Sequence, residues 1–171
     1  MAADVLVVYA SKHGSTEQVA RKVAEKLRYA GYTTTVEQAG AVKGLDGCRS
    51  VVVGGSLYMG RWNHDARRFL RRHRKELRSV PFAVFALGPG ENTEKAFAGS
   101  RQQLDHALDR FSDLEPRAVA VFGGVLDPRQ HHFPFSRMEE RDLRDWDEIR
   151  AWACGLPAEL ELLPREVRLT A

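Results

Sequence analysis

The chain has 171 residues, 43 % hydrophobic and 29 % charged, the size and composition of one globular domain with a sizeable core, which excludes a disordered, fibrous or low-complexity protein. A formal net charge of +3 and a pI near 9.0 suit anionic ligands or surfaces, but no reader motif accompanies the charge and nucleic acid is not expected as a partner. Cys48 and Cys154 are too few for a disulfide framework and too far apart for a metal knuckle or a redox C-x-x-C. No basic leader pattern is present and no apolar run approaches the ~20 residues of a membrane helix, so the expectation is a cytoplasmic chain with a single domain over 1–171 and no bound metal.

Val5-Leu6-Val7-Val8-Tyr9-Ala10 is apolar and β-branched, stops at Ser11-Lys12-His13-Gly14-Ser15-Thr16, and is followed by Ala20, Val23, Ala24, Leu27 and Ala30 at helical spacing. Strand, tight loop and helix N-terminus in that order make a phosphate cradle. Backbone N–H groups converge, the helix dipole favours a dianion, and Gly14 admits φ > 0 or a close approach. Ser11, Ser15 and Thr16 can add hydroxyl donors. The same residues also read as a plain βα turn in which Ser15 and Gln18 form a capping box, with Gly31 stopping the helix. Tyr9 is expected in the core.

Tyr32 to Glu37 is β-rich and reads as a second strand, and Ser50 to Ser56 as a strand buried on both faces. A loop is expected over Leu57 to Asn63. A helix then carries Ala66, Phe69, Leu70, His73 and Leu77 on one side, and the basic residues Arg61, Arg67, Arg68, Arg71, Arg72, Arg74, Lys75 and Arg78 gather around it. Phe82 to Leu87 is a buried strand closed by Gly88-Pro89-Gly90, Glu94 to Phe111 is helical, and Ala118 to Phe122 is a last strand ending at Gly123-Gly124. After an irregular stretch, Asp145 and Glu148 are placed to cap a helix bearing Trp146, Ile149, Ala153 and Leu156. Pro157 and Pro164 are expected to mark its decay into an extended tail over 157–171. Strands alternating with helices predict an α/β, doubly wound parallel sheet with helices on both faces. The glycine-rich strand ends should meet around one site at its carboxyl edge. Neither G-x-G-x-x-G nor G-x-x-x-x-G-K-[ST] occurs, so a mononucleotide with a terminal phosphate fits better than a dinucleotide or a nucleoside triphosphate.

Ser11 to Thr16 resembles the [ST]-x-x-G-x-T phosphate loop of the flavodoxin family. Within it the chain is most similar to the flavodoxin-like, menaquinone-dependent protoporphyrinogen oxidases of haem biosynthesis. The likeness rests on the opening loop, on Gly54-Gly55-Ser56-Leu57-Tyr58-Met59-Gly60-Arg61-Trp62 leading into Phe69-Leu70-Arg71-Arg72-His73, on Phe122-Gly123-Gly124-Val125-Leu126, and on Asp145-Trp146-Asp147-Glu148. It implies a flavodoxin-like five-stranded parallel sheet of order 2-1-3-4-5, FMN as cofactor, and electron transfer between a protoporphyrinogen-like substrate and a quinone-type acceptor. By position, Ser11, Lys12, His13, Gly14, Ser15 and Thr16 would hold the FMN phosphate. Ser56, Leu57, Tyr58, Met59 and Gly60, with Leu87, Gly88, Pro89, Gly90 and Glu91 and with Gly123, Gly124, Val125 and Leu126, would frame the ring. No protein side chain is implied as catalytic, because the flavin carries the chemistry. Tyr58 and Trp62 are the aromatics that would stack on the ring, although a Trp at a helix start also reads as core.

Electron-carrier flavodoxins are strongly acidic and carry an aromatic in the loop after the fourth strand. Leu87 to Thr93 has none, and an open ring face suits a substrate that touches it. The oxidases carry a long insertion after the fifth strand where this chain has only Asp127 to Arg144. There, with Trp62, the substrate-contacting candidates are Asp127, Arg129, Phe133 and Arg137, with Phe135 beside them; the arginines would meet propionates. His131-His132 has no further ligand at metal spacing. The alternatives are an electron carrier serving a redox partner protein and a cofactor-free interaction module. The basic helix Arg61 to Arg78 is either a solvated face or a contact with the inner face of the cytoplasmic membrane.

Overall fold

Alternate residues of the first strand enter two different cores. Val5 and Val7 pack against the helix that follows, whereas Leu6, Val8 and Ala10 face the opposite side of the sheet, as the period of two in a strand requires. The computed structural model describes residues 3–130, 133 and 135–163. In chain order the elements are β1 (Val5–Ala10), α1 (Ser15–Tyr29), β2 (Thr34–Gln38), β3 (Ser50–Tyr58), β4 (Arg61–Trp62), α2 (His64–Arg72), α3 (Arg74–Leu77), β5 (Phe82–Leu87), α4 (Glu94–Leu108), β6 (Ala118–Phe122), β7 (Val125–Leu126), β8 (Arg141–Asp142) and α5 (Trp146–Glu159).

The parallel strands run β2-β1-β3-β5-β6 across the sheet, which is the order 2-1-3-4-5 when they alone are counted. Helices α1 and α5 cover one face through Val19, Val23, Leu27, Ile149 and Leu156. Ala66, Phe69 and Leu70 of α2 and Leu104 of α4 cover the other. Because β1, β3 and β5 are buried on both faces, their apolar runs are continuous rather than alternating. Helix α1 ends as expected, with Gly31 at φ 94° and the bonds Gly31 N to Arg28 O (2.9 Å) and Tyr32 N to Leu27 O (3.1 Å) of a Schellman turn.

Several expectations need correction. The capping box of Ser15 and Gln18 does not form: Gly14 is the N-cap, at φ 90°, and no side chain caps the helix. The expected loop over 57–63 is a β-hairpin, in which β3 continues to Tyr58 and pairs antiparallel with β4. Its two turn residues, Met59 (φ 50°) and Gly60 (φ 74°), take the left-handed conformations that a two-residue turn demands. The basic helix is broken at His73 into α2 and α3. Helix α5 continues through Pro157 to Glu159, and Leu160 and Leu162 are 1 % and 6 % exposed, so no extended tail begins at 157. Burying these two leucines contributes about 3–6 kcal/mol, which outweighs the ~3 kcal/mol that a proline costs inside a helix. Pro164 and the rest of the expected tail lie outside the described residues.

Candidate functional site

Ala10 pairs with Gly55, Ser56 with Leu87, and Leu87 with Phe122. The chain therefore leaves β1, β3, β5 and β6 at nearly one level of the sheet edge, and the four following loops surround one depression.

The loop after β1 is held from within. Ser11 Oγ accepts the Gly14 N–H at 2.8 Å, and Gly14 turns the chain into α1 in a left-handed conformation. The first N–H groups of α1 receive no side-chain cap, and they are the donors an anion meets at a helix start. Below them Thr16 is fully buried and its Oγ1 has no hydrogen-bond partner. An unsatisfied buried hydroxyl costs about 1–3 kcal/mol, and an oxyanion in the cradle would relieve it. This orphaned hydroxyl is the structural sign that the loop fits a phosphate. Lys12 and His13 are exposed at its rim.

Beyond the loop lie two joined spaces that share Ser15, Ser56, Leu57, Tyr58 and Val125 as lining. The first is a slot of about 400 Å³, with Leu57 to Met59 on one wall, Leu87 to Glu91 on another, and Gly124, Val125 and Leu126 as further lining. The second is a cleft of about 700 Å³ that starts at Ser11, Lys12, His13 and Ser15 and runs past Arg61, Asn63, His64 and Arg67 to Asp127, Phe133 and Asp142. The loops are stitched together by Gly88 N to Phe122 O, Gly124 N to Pro89 O and Leu143 N to Gly124 O, each at 3.0 Å. Gly124 allows this approach, because a Cβ there would come within 3.2 Å of Gly88 Cα and Pro89 O. Tyr58 and Met59 stand exposed at the slot's rim, with Gly60 beside them at the turn.

Two expected site residues are placed differently. Trp62 is 1 % exposed and its Nε1 donates to Gly55 O at 3.0 Å; it packs in the core under the hairpin and contributes to the cleft only as part of its lining, which leaves Tyr58 as the aromatic at the rim. Gly123 does not line the slot: a Cβ there would lie 1.9 Å from Leu143 O, so its lack of a side chain serves the packing of the segment that follows.

That segment, expected to be irregular, is a strap. It leaves the sheet through β7 and returns through β8, which pairs with it antiparallel. Arg129 donates to Asp127 Oδ1 at 2.9 Å and approaches Glu140 at 3.6 Å, so its guanidinium is engaged within the strap itself. Arg137 lies over the Phe133 ring at 5.4 Å. His131, His132 and the Phe135 side chain lie outside the described residues, among which no group of His, Cys, Asp or Glu is arranged to hold a metal.

Sequence reasoning missed Arg144. Its side chain is 8 % exposed, donates to Asp142 (2.9 and 2.7 Å) and to Gln18 Oε1 (2.6 Å), and approaches Ser15 O at 3.3 Å. It thus ties the end of the strap to the start of α1, and it lies 4.7 Å over the Trp146 ring. No local pattern announces this role, since Ser15 and Gln18 are far away in sequence; its place just before the Asp145 cap of α5 was the available hint. The cap itself is as expected, with Asp145 Oδ1 accepting from the N–H groups of Asp147 and Glu148.

The Arg144 hydrogen bond holds the Asp142 carboxyl below its ordinary value of 3.8. A depressed carboxyl contributes stability above its unfolded pKa and loses it as pH falls through the folded one. The strap is therefore expected to loosen as pH drops below about 4, seen as a lower protection factor at the Leu143 amide once the intrinsic pH dependence of exchange is divided out, and Asp142→Asn is expected to abolish that dependence.

The basic array is less uniform than the sequence suggests. Arg74 and Arg78 both donate to Asp113, Arg67 Nε donates to Trp62 O at 3.0 Å, and the buried His73 pairs through Nδ1 with Glu76 at 2.7 Å. Arg61, Arg68, Arg71, Arg72, Lys75 and Arg78 are its exposed members, and of these Arg78 is paired with Asp113. No described helix is long and apolar enough to cross a membrane.

A family model described as a flavodoxin domain matches residues 6–137. No curated protein sequence matches the chain. Among solved structures it is similar to a flavodoxin from the domain Archaea (13 % identity, 92 % of this chain and 98 % of that one, TM-score 0.58). It is also similar to oxidised flavodoxin 1 from Bacillus cereus (16 %, 93 % and 98 %, 0.58). A third likeness is to rubredoxin oxygen:oxidoreductase from Desulfovibrio gigas (18 %, 92 % of this chain but 36 % of that one, 0.59). At these identities the likeness to each structure is one of fold.

Proposed function

We propose, from the premise that this chain belongs to the flavodoxin family, that it is an FMN-dependent oxidoreductase passing electrons from a small, reduced, protoporphyrinogen-like substrate to a quinone-type acceptor. Proteins of this family bind FMN, and the cradle with its orphaned Thr16 hydroxyl fits the cofactor's phosphate. Bound FMN supplies the redox chemistry through its ring system. The chain's part is to bind and orient. Ser11 and Gly14 shape the loop, the uncapped start of α1 and Thr16 meet the phosphate, and Lys12, His13 and Ser15 flank it. Ser56, Leu57, Tyr58 and Met59 with Leu87 to Glu91, Gly124, Val125 and Leu126 enclose the ring slot.

The observation that carries the substrate reading is the cleft of about 700 Å³, which continues past the phosphate loop into a chamber with Arg61, Asn63, His64 and Arg67 among its lining and strap residues Asp127, Phe133 and Asp142 across it. A phosphate alone does not need that space. With no aromatic in the loop after β5, a small molecule there can reach the ring, and arginine forks suit its carboxylates. The purified protein is expected to be yellow, or to take up added FMN with micromolar or better affinity. The loaded protein is expected to convert a porphyrinogen to a fluorescent porphyrin when a quinone is supplied. Failure to bind FMN would end the flavoprotein reading; binding without turnover would end the substrate reading alone.

A second reading, an electron carrier for a redox partner protein, is favoured by the exposure of Tyr58 (54 %) and Met59 (71 %) at the rim of the slot, where a partner could approach. Reduction of a partner without small-molecule turnover would select it. Contact with an anionic membrane surface is proposed through Arg68, Arg71, Arg72 and Lys75, each worth about 1 kcal/mol near such a surface. Vesicle binding should then fall steadily as salt rises, and salt-independent or absent binding would refute it.

A further inference from the structure

Behind the β3–β4 hairpin is a second concave surface, which shares Arg61, Trp62 and Arg67 with the cleft and adds Gln103, His106 and Arg110 of the α4 segment, to which the flavin reading gives no role. It is a groove of about 270 Å³ between the hairpin and α4, where Arg61, Arg67, His106 and Arg110 converge with the Gln103 side chain. No carboxylate lines it. Arg61 and Arg110 are exposed, and among the described residues neither they nor His106 have an ion-pair or hydrogen-bond partner. Of the nearby acids, Asp105 accepts from Arg101 at 2.8 Å, Asp113 accepts from Arg74 and Arg78, and Asp109, beside Arg110 in the chain, does not line the groove. Arg67 commits only its Nε, to Trp62 O.

Three arginines lining one small space that no carboxylate lines produce a local positive potential that an anion would neutralise. Their planar forks match oxyanions in bidentate fashion. The number of donors selects among oxyanions. Three forks and an amide offer more N–H groups than the roughly four lone-pair sites of one carboxylate can accept. A dianionic phosphoryl group, with three strong acceptor oxygens, uses them more fully. The groove is too small for a nucleic-acid strand to lie along it.

We propose that this groove binds the phosphoryl group of a small phosphorylated ligand, or inorganic phosphate itself, with Arg61, Arg67 and Arg110 as the principal ligands. The groove is distinct from the FMN-phosphate loop, none of whose residues line it; it meets the far end of the cleft at Arg61 and Arg67, whereas His106 and Arg110 line the groove and not the cleft. Tyr58 and Met59 of the same hairpin border the ring slot, so a ligand anchored here sits directly behind one wall of that slot.

The test is calorimetric titration of the FMN-saturated chain with pyrophosphate and, separately, with inorganic phosphate, at constant ionic strength. Saturable binding is expected for at least one probe. Arg110→Gln should weaken it about tenfold, and Arg110→Lys should weaken it nearly as much, because lysine keeps the charge and loses the fork. Arg110 is exposed and has no partner, so both variants should fold, as far-UV circular dichroism would verify. No saturable binding of either probe would overturn the proposal. So would an Arg110→Lys variant that binds like the parent, since the charge alone would then account for the effect, or citrate binding as tightly as pyrophosphate. A chain that takes up no FMN is titrated as purified; loss of binding on changing Arg110 still supports the groove, and thereby separates this proposal from the flavin reading.

Discussion

Thr16→Val is expected to fold at least as stably as the parent chain while binding FMN roughly tenfold to a hundredfold more weakly. The two effects have one cause. Thr16 is fully buried at the second position of α1, and its Oγ1 lacks a partner within the protein. Replacing the hydroxyl by a methyl of the same shape removes an unsatisfied polar atom and adds apolar burial, a gain of about 1 kcal/mol. Valine and threonine have similar helix propensities, so the backbone is indifferent to the change. In the proposed complex the same hydroxyl would donate a charge-assisted bond to the phosphate, worth about 1.5–3 kcal/mol, which valine cannot make. Thermal unfolding of the cofactor-free chain measures the first effect and flavin-fluorescence quenching the second. Unchanged FMN affinity would show that the Thr16 hydroxyl does not bond the phosphate.

Gly54→Ala is expected to destabilise the chain by about 3 kcal/mol or more, at or beyond the upper end of the usual cost of overpacking. A Cβ at this position would lie 2.0, 2.4 and 2.5 Å from three atoms of the Phe85 ring, and Gly54 and Phe85 are register partners across β3 and β5. The ring has little room to retreat. It is fully buried and packed against Phe122 at 6.1 Å and Trp152 at 6.0 Å. Denaturant unfolding measures the loss. Phe85→Leu is expected to recover part of it in the double variant, because the clash belongs to the pair, and full additivity would refute this steric account. Gly54 thus reads as a packing residue, although in the sequence it stood beside Gly55 and Ser56 as part of a glycine-rich strand end that looked built for a ligand.

What was legible in the chain was what neighbouring residues decide among themselves. Val5 to Ala10 and Phe82 to Leu87 begin and end where their apolar runs do, since strands buried on both faces need an unbroken run and stop at glycine or a polar residue. Gly31 ends α1 through a turn that only its own left-handed backbone permits easily. The Ser11–Thr16 loop and the convergence of four strand ends also followed from sequence, because parallel order and right-handed crossovers bring carboxyl ends to one edge. Trp62 shows where local reading stops. An aromatic beside a proposed ring site is equally consistent with stacking and with core packing, and the hydrogen bond to Gly55 O with burial under the hairpin decides for the core.

The amino-acid sequence by itself determined the alternation of elements, the order of the sheet, the cradle at Ser11 to Thr16 and membership of a family that binds FMN. Only the tertiary structure decided that β3 folds back as β4, that β7 pairs with β8 and is followed by the Arg144 tie to α1, that Pro157 stays helical, and that Arg61, Arg67 and Arg110 line one groove. Each of these depends on partners far apart along the chain. The energy that settles them is burial and hydrogen bonding between elements, which overrides local propensity and leaves no periodic trace in the residues themselves.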